Sequence, residues 1–373
     1  MIAITNCKFF KEGQLVTNQH ILIEEGRISR ISGGPLSGEC EVIDLQGELI
    51  TPGFIDLQIY GSGGALFSAY PTAATLGQME ADLRGKGTTG FLATVATNTW
   101  DVVYQAIDAA KAYGAKETGF MGLHLEGPYL NPKRKGAHPE ALMCKATLEE
   151  VKALLDYAEG TIKMMTIADE LQDEGVIRYL QQEGVILSLG HSDCDFEQAT
   201  AAFDRGFRTT THLFNAMPSI HHRAPNLPVA VFSHPTAMAS IIADGVHVDF
   251  EVIRMTSKVM GSRLFLITDA VTPCTVGLYQ HELRGDRFVT PDGTLSGSNI
   301  TMLQAVSNCI NHCDIPLETA LRMASENPAK VIGPSAEFGT LSVGNHADLL
   351  CLSPSLGLNK VFVSGVEYLS PIN

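Results

Sequence analysis

The eight cysteines (7, 40, 144, 194, 274, 309, 313 and 351) include no Cys-x-x-Cys pair and show no regular framework. No apolar run approaches the roughly 18 residues that a membrane span needs. The opening stretch, Met1 to Phe10, lacks the basic and then apolar order of an export signal. No Gly-x-Gly-x-x-Gly follows the first strand-like run of the central region, which counts against a dinucleotide fold. Positive charge is scarce: 26 Lys and Arg stand against 41 Asp and Glu, a formal net charge of -15. That balance repels nucleic acid and anionic membrane, so neither is an expected partner. A phosphorylated small molecule would be repelled as well, unless a local cationic pocket receives it. Without an export signal, the cysteines read as the reduced thiols of a cytoplasmic protein. Cys309 and Cys313, four apart in a helical stretch, read as one buried helix face rather than as metal ligands.

What is present is ordinary globular composition, 45% apolar and 18% charged, in a chain of 373 residues. That length suits one large core and one small one. Short apolar runs broken by turn residues fill the first fifty positions: Ile2 to Ile4, His20 to Ile23, Arg27 to Ile31 and Glu41 to Leu45. They predict a small antiparallel β unit. Ala347 to Leu352 and Lys360 to Gly365 read alike at the far end. The two ends, 1–50 and 340–373, are therefore expected to form one discontinuous β-sandwich domain around a different middle, 51–339.

The middle alternates β-like runs with helical stretches. Eight candidate strands are Phe54–Leu57, Gly90–Val95, Phe120–Leu125, Ile162–Ile167, Val185–Leu189, Thr209–Leu213, Met238–Ala243 and Leu264–Thr268. Helical patterns fall between most of them, such as 147–158 and 196–205, and Thr147-x-x-Glu150 predicts a capping box. Eight strands with crossover helices point to an α/β fold, a closed (β/α)8 TIM-like barrel, with a doubly wound open sheet as the alternative.

The polar residues suited to chemistry share one position, at or just after the end of an apolar strand. Glu126, His191, His212, Asp244, His247 and Asp269 all stand there. In a barrel these ends converge on one face, where barrel enzymes keep their sites. Glu126, His191 and His212 offer one carboxylate and two imidazoles, a donor set suited to Zn2+ or a similar ion with a position left for water. A single histidine after a strand is more often a hydrogen-bonded structural residue; three ligands and Asp269 in one register reverse that expectation. Asp269 alone would read as a helix cap, and beside a metal it reads as a proton carrier. Asn215-Ala216 running into Arg223 suggests a phosphate contact, with a solvated loop as the plain alternative. The basic stretch Lys133-Arg134-Lys135 is expected near the same rim, and Leu295-Ser296-Gly297 is on its own a turn.

Taken together, Pro52-Gly53-Phe54-Ile55-Asp56, His124-Leu125-Glu126-Gly127-Pro128, Lys135-Gly136-Ala137-His138, Gly190-His191-Ser192, Thr211 to Met217, Ala243 to His247, Thr268-Asp269-Ala270 and Leu295 to Ser298 resemble the N-acetylglucosamine-6-phosphate deacetylases of the amidohydrolase superfamily. The matching stretches span nearly the whole chain in family order. The resemblance implies hydrolysis of an amino-sugar phosphate, N-acetyl-D-glucosamine 6-phosphate, to glucosamine 6-phosphate and acetate. It implies Glu126, His191 and His212 as ligands of one divalent ion per subunit, with Zn2+ ahead of Fe2+, Co2+ or Mn2+. Asp269 corresponds to the acid/base and His138 to a histidine that polarises the acetyl carbonyl. Ala137, His138, Asn215, Ala216, Arg223, Asp244, His247, Leu295, Ser296 and Gly297 correspond to substrate contacts. A homodimer is implied, with Arg223 reaching the neighbouring site. Two departures stand out. Gln58-Ile59-Tyr60 replaces the His-x-His that supports a second metal in many amidohydrolases, and Asn226 stands where the family usually has Gly. The galactosamine epimer remains an alternative substrate. A non-catalytic scaffold would be marked by lost ligands, and none is lost.

Overall fold

The computed structural model describes residues 1–36, 39–114, 119–333 and 337–368; positions 369–373 of the expected C-terminal unit lie outside them. Eight parallel strands form one sheet in chain order: Phe54–Ile59, Thr88–Ala96, Phe120–Glu126, Ile162–Ile167, Ile186–Leu189, Thr209–Thr210, Met238–Ile241 and Leu264–Leu266. Because neighbours in the sheet are neighbours in sequence, each crossover is local, and helices such as Ala73–Gly85 and Trp100–Tyr113 pack outside. The sheet curls into a nearly closed TIM barrel. Strand residues alternate between two apolar surfaces. Phe54, Phe91, Leu123 and Leu125 face the helices. Ile55, Leu57, Leu92, Met164, Ile186 and Phe265 fill the interior.

Three strands end earlier than their apolar runs suggest, at Thr210, Ile241 and Leu266. In each case the chain leaves the ladder to present a site residue. The capping box at Thr147 is half formed. The Thr147 hydroxyl accepts from Glu150 N at 3.2 Å, but the Glu150 carboxylate turns away to accept from Tyr129 OH at 2.7 Å. The complete box lies elsewhere, at Asp195 and Gln198. Cys309 and Cys313 are both fully buried on their helix, as the spacing predicts.

The seam between last and first strands is held by a side chain as well as by backbone. Asp269 N donates to Gln58 O at 2.9 Å. Across the same gap Asp56 accepts from Thr268 N at 3.2 Å and from its hydroxyl at 2.5 Å. Burial pushes the Asp56 carboxyl from 3.8 up to about 7, although these hydrogen bonds pull the other way. The folded chain therefore holds this proton more tightly than the unfolded chain. Its stabilising contribution is complete below about pH 4 and is lost as pH rises through about 7, on the order of 4 kcal/mol in all. Asp56→Asn is expected to flatten the decline of urea stability between those limits. An unchanged slope would remove Asp56 as its source.

Strands from both chain ends build two four-stranded sheets. One runs Arg27–Ser32, His20–Glu24, Ile2–Thr5, Glu41–Asp44; the other runs Val366–Glu367, Leu358–Val363, Leu349–Leu352, Leu49–Pro52. They share an apolar interior of Ile4, Ile21, Ile23 and Ile28 against Ile50, Leu349, Cys351 and Phe362. One expected feature is corrected: Ile2–Thr5 pairs with Glu41–Asp44 in parallel, not antiparallel. The hairpin of His20–Glu24 and Arg27–Ser32 lies between them in sequence and supplies the long crossover that a parallel pair needs. No helix among the described residues is long and apolar enough to cross a membrane.

Candidate metal centre and active site

Alternation along the third barrel strand decides what faces inward. Leu123 and Leu125 point to the helices, so His124 and Glu126 point into the barrel, Glu126 one layer nearer the C-terminal mouth. His124 forms the floor. Its Nδ1 lies 3.0 Å from Leu57 O and its Nε2 2.8 Å from Thr166 Oγ1, which continues to Thr211 Oγ1 at 2.7 Å. Burial lowers the His124 pKa to about 4, and a neutral ring with its proton on Nδ1 satisfies both partners.

Above this floor Glu126 Oε1 lies 3.0 Å from His212 Nε2 and 3.3 Å from His191 Nε2, and the two Nε2 atoms are 3.2 Å apart. His191 Nδ1 lies 2.8 Å from Arg134 O, so Nε2 is the ring nitrogen left to face both Glu126 and another imidazole nitrogen. One proton cannot satisfy all three atoms; a cation can. Ligand bonds of about 2.0–2.1 Å in a tetrahedron place donors about 3.3 Å apart, close to the observed edges. These are the residues that fit a metal among the described ones.

The chain bends sharply to deliver them. His191, His212 and Asp269 have φ of +47°, +31° and +54°, a left-handed conformation that costs non-glycine residues about 1 kcal/mol or more each. The loop after the third strand is stitched to the His191 loop: Asn131 N donates to His191 O at 2.9 Å. Gly136 combines a φ of +55° with a position where a Cβ would sit 3.3 Å from His191 Cε1, so a side chain there meets both strain and a close neighbour. His138 then lies between Thr97 Oγ1 at 2.9 Å and Glu126 Oε2 at 3.0 Å. The basic stretch reaches this rim but turns its charges outward: Arg134 pairs with Asp193 at 2.8 Å and Lys135 with Glu140 at 3.4 Å.

Gln58 and Tyr60, in the place of His-x-His, both enter the site. Gln58 Nε2 lies 3.0 Å from Glu126 Oε1, 2.8 Å from Asp269 Oδ1 and 3.0 Å from Tyr60 OH. The Tyr60 hydroxyl donates to Glu126 Oε2. Two buried carboxylates thus share one amide. Burial opposes charge on Glu126, but His138 and His191 hold its pKa well below the usual range. Burial, and then the charges of Glu126, Asp56 and Asp244, raise Asp269 well above it.

Glu126, His191, His212, Asp269, His138, Ala137, Asn215, Ala216, His247, Leu295, Ser296 and Gly297 all line one cavity at the barrel mouth. Gly297 packs so closely that a Cβ would meet Asp269 O at 2.4 Å. Asp244 stands behind this wall, accepting from His247 Nδ1 at 2.6 Å while His247 Nε2 lies 2.7 Å from Ser296 O. Arg223 is outside it, exposed, with Nη1 2.8 Å from His222 Nε2. Among the described residues no Lys or Arg lines the cavity. Asn226 has an extended backbone, φ -148°, that requires no glycine, and its Nδ2 donates to Ser219 O at 2.7 Å, pinning the loop that carries Arg223. Tyr279 and His281 also reach the cavity, from an irregular excursion after the eighth strand. No periodicity in the sequence marks them. Burial lowers the His281 pKa to about 4.

A family model described as Amidohydrolase family matches residues 49–367. The N-acetylglucosamine-6-phosphate deacetylase of Vibrio furnissii is 32% identical over 355 residues, covering 92% of this chain and 88% of that one. The crystal structure of N-acetylglucosamine-6-phosphate deacetylase from Pasteurella multocida superposes with a TM-score of 0.91 at 31% identity, over 98% of this chain and 99% of that one. A mutant of the Mycobacterium smegmatis deacetylase, solved in complex with N-acetyl-D-glucosamine-6-phosphate, has a TM-score of 0.89 at 29% identity, over 98% of both chains. The matched region contains every barrel strand, the Glu126–His191–His212 triangle and Asp269, and the chain belongs to the amidohydrolase family.

Proposed function

We propose that the protein hydrolyses the acetamide of N-acetyl-D-glucosamine 6-phosphate to glucosamine 6-phosphate and acetate. The observation that carries this reading is the buried Glu126–His191–His212 triangle with Asp269 beside it, linked through Gln58, at the barrel mouth. Relatives that share nearly the whole chain bear the same activity in their names.

We assign one divalent ion to the triangle, Zn2+ by its donor set. Bound there, such an ion supplies Lewis acidity, activating a water and polarising an amide carbonyl. The remaining work belongs to the side chains. Asp269 takes the proton from the attacking water and returns one to the departing amine nitrogen. Gln58 holds one Asp269 oxygen and leaves the other free for that transfer. His138, fixed between Thr97 and Glu126, offers polarity at the carbonyl. Asn215, Ala216, His247 and the 295–297 turn receive the sugar phosphate. We place the missing cation, Arg223, in the neighbouring subunit of a homodimer, because no Lys or Arg of the described chain lines its own cavity.

The test is acetate release from the 6-phosphates of N-acetylglucosamine and N-acetylgalactosamine, with metal measured on the same sample. Turnover of the gluco epimer with about one ion per chain is expected, since Gln58 and Tyr60 occupy the positions of further ligands. Two ions per chain at full activity would sink the single-ion reading. Preference for the galacto epimer would move the substrate assignment.

A further inference from the structure

The cavity lining includes an apolar patch from the first, second and eighth strands, where Ser68, Asp269, His281 and Ser296 are its polar neighbours, apart from the residues that follow the sixth and seventh. Asn215 and Ala216 follow the sixth strand and His247 the seventh. Tyr60 and Leu66 follow the first strand, Ala96 ends the second, and Val271 and Tyr279 follow the eighth. Strands eight, one and two meet at the seam, so these five residues form a single wall. They pack as one apolar cluster with Cys274 and Phe288.

Both tyrosines in this wall have their hydroxyls committed elsewhere. Tyr60 OH donates to Glu126, and Tyr279 OH donates to Thr97 O at 2.8 Å. Their rings, rather than their oxygens, are left to border the cavity. Leu66, Ala96 and Val271 are each less than one-tenth exposed, so the wall has little freedom to retreat.

An amide has two sides. With its carbonyl at the Glu126–His191–His212 triangle and its nitrogen within reach of Asp269, the group on nitrogen and the group on carbon must run in different directions. The hydroxylated, charged sugar belongs on the side with Asn215 and His247. The group on carbon then meets the apolar patch. We infer that Tyr60, Leu66, Ala96, Val271 and Tyr279 form the acyl subsite and set the length of acyl group that the enzyme accepts. This inference rests on the deacetylase reading above and names residues that determine its selectivity. An apolar wall discriminates by volume, typically about 10- to 200-fold per methylene.

The test uses N-formyl, N-acetyl, N-propionyl and N-butyryl glucosamine 6-phosphate with the metal-loaded enzyme. Wild type is expected to favour acetyl over butyryl. Leu66→Ala and Val271→Ala should each raise the butyryl-to-acetyl ratio of kcat/KM by about 10-fold or more. Ala96→Val fills space instead and should lower acetyl turnover relative to formyl by a similar factor. Metal content and acetyl or formyl turnover report whether each variant is folded, and the filling variant decides the matter if the emptied ones are not. Active variants with the wild-type acyl preference would overturn the subsite alone. No acetate release by the wild type would overturn the deacetylase reading and the subsite with it.

Discussion

Asp269→Asn is expected to lower turnover by about 10²- to 10⁴-fold, the usual scale for a positioned acid/base, with metal content unchanged. An amide resists attack, and its amine leaves poorly unless protonated. Lewis acidity addresses the attack; something else must carry a proton to nitrogen. Asp269 follows the eighth strand, and Gln58 fixes its Oδ1 at 2.8 Å. Asparagine keeps an oxygen for that hydrogen bond and tolerates the left-handed φ of +54° better than most residues. Asp269 N can still donate to Gln58 O, and Asp269 O can still accept from Ser298 N at 2.9 Å. The substitution therefore removes the transferable proton and little else. Substrate should still bind, so KM is expected to change far less than kcat. Near-normal turnover would remove Asp269 from the chemistry, whereas loss of the ion would make it a ligand.

The barrel is legible in the sequence because its strands are buried on both sides and read as nearly continuous apolar runs. The same runs overshoot at Thr210, Ile241 and Leu266, where the backbone leaves the ladder. Nothing in residue identity announces a positive φ at His191 or His212, since that conformation is imposed by what surrounds it. Glu126, His191, His212 and Asp269 could be grouped because each stands at a strand end, a position the chain order alone reveals. Gln58 and Tyr60 were visible only as departures from His-x-His. Their hydrogen bonds to Glu126 depend on the first and third strands being neighbours of the second in space. Asp244 sits in the same register as the site residues, yet it lies behind His247. A carboxylate one residue from a Gly turn has several rotamers open to it, and only packing selects among them. Tyr279 and His281 come from a segment whose path is set by what it covers, so spacing could not place them.

If Arg223 is the phosphate's charged partner, as proposed, Arg223→Ala should weaken use of the 6-phosphate by roughly 2–5 kcal/mol. Free N-acetylglucosamine should be a poor substrate for the wild type and nearly indifferent to the change. The larger consequence concerns where Arg223 acts. Within one chain it is exposed beside His222, on a loop that Asn226 ties down through Ser219. Ile220 is 48% exposed on the same loop. If Arg223 completes the site of the partner, each cavity draws Asp269 from one subunit and Arg223 from the other. Mixing Arg223→Ala with Asp269→Asn then produces heterodimers in which one site carries both defects and the other carries neither. With free exchange at equal amounts about half of the dimers are mixed, so about a quarter of all sites regain full activity. Two variants that are each defective should therefore recover activity on mixing, to about a quarter of the wild-type rate at low substrate. If Arg223 served its own subunit, every site would keep one defect and mixing would recover nothing. That outcome, in a sample shown to exchange subunits, would sink the shared site. Equal hydrolysis of the free sugar and its 6-phosphate by the wild type would sink the phosphate assignment as a whole.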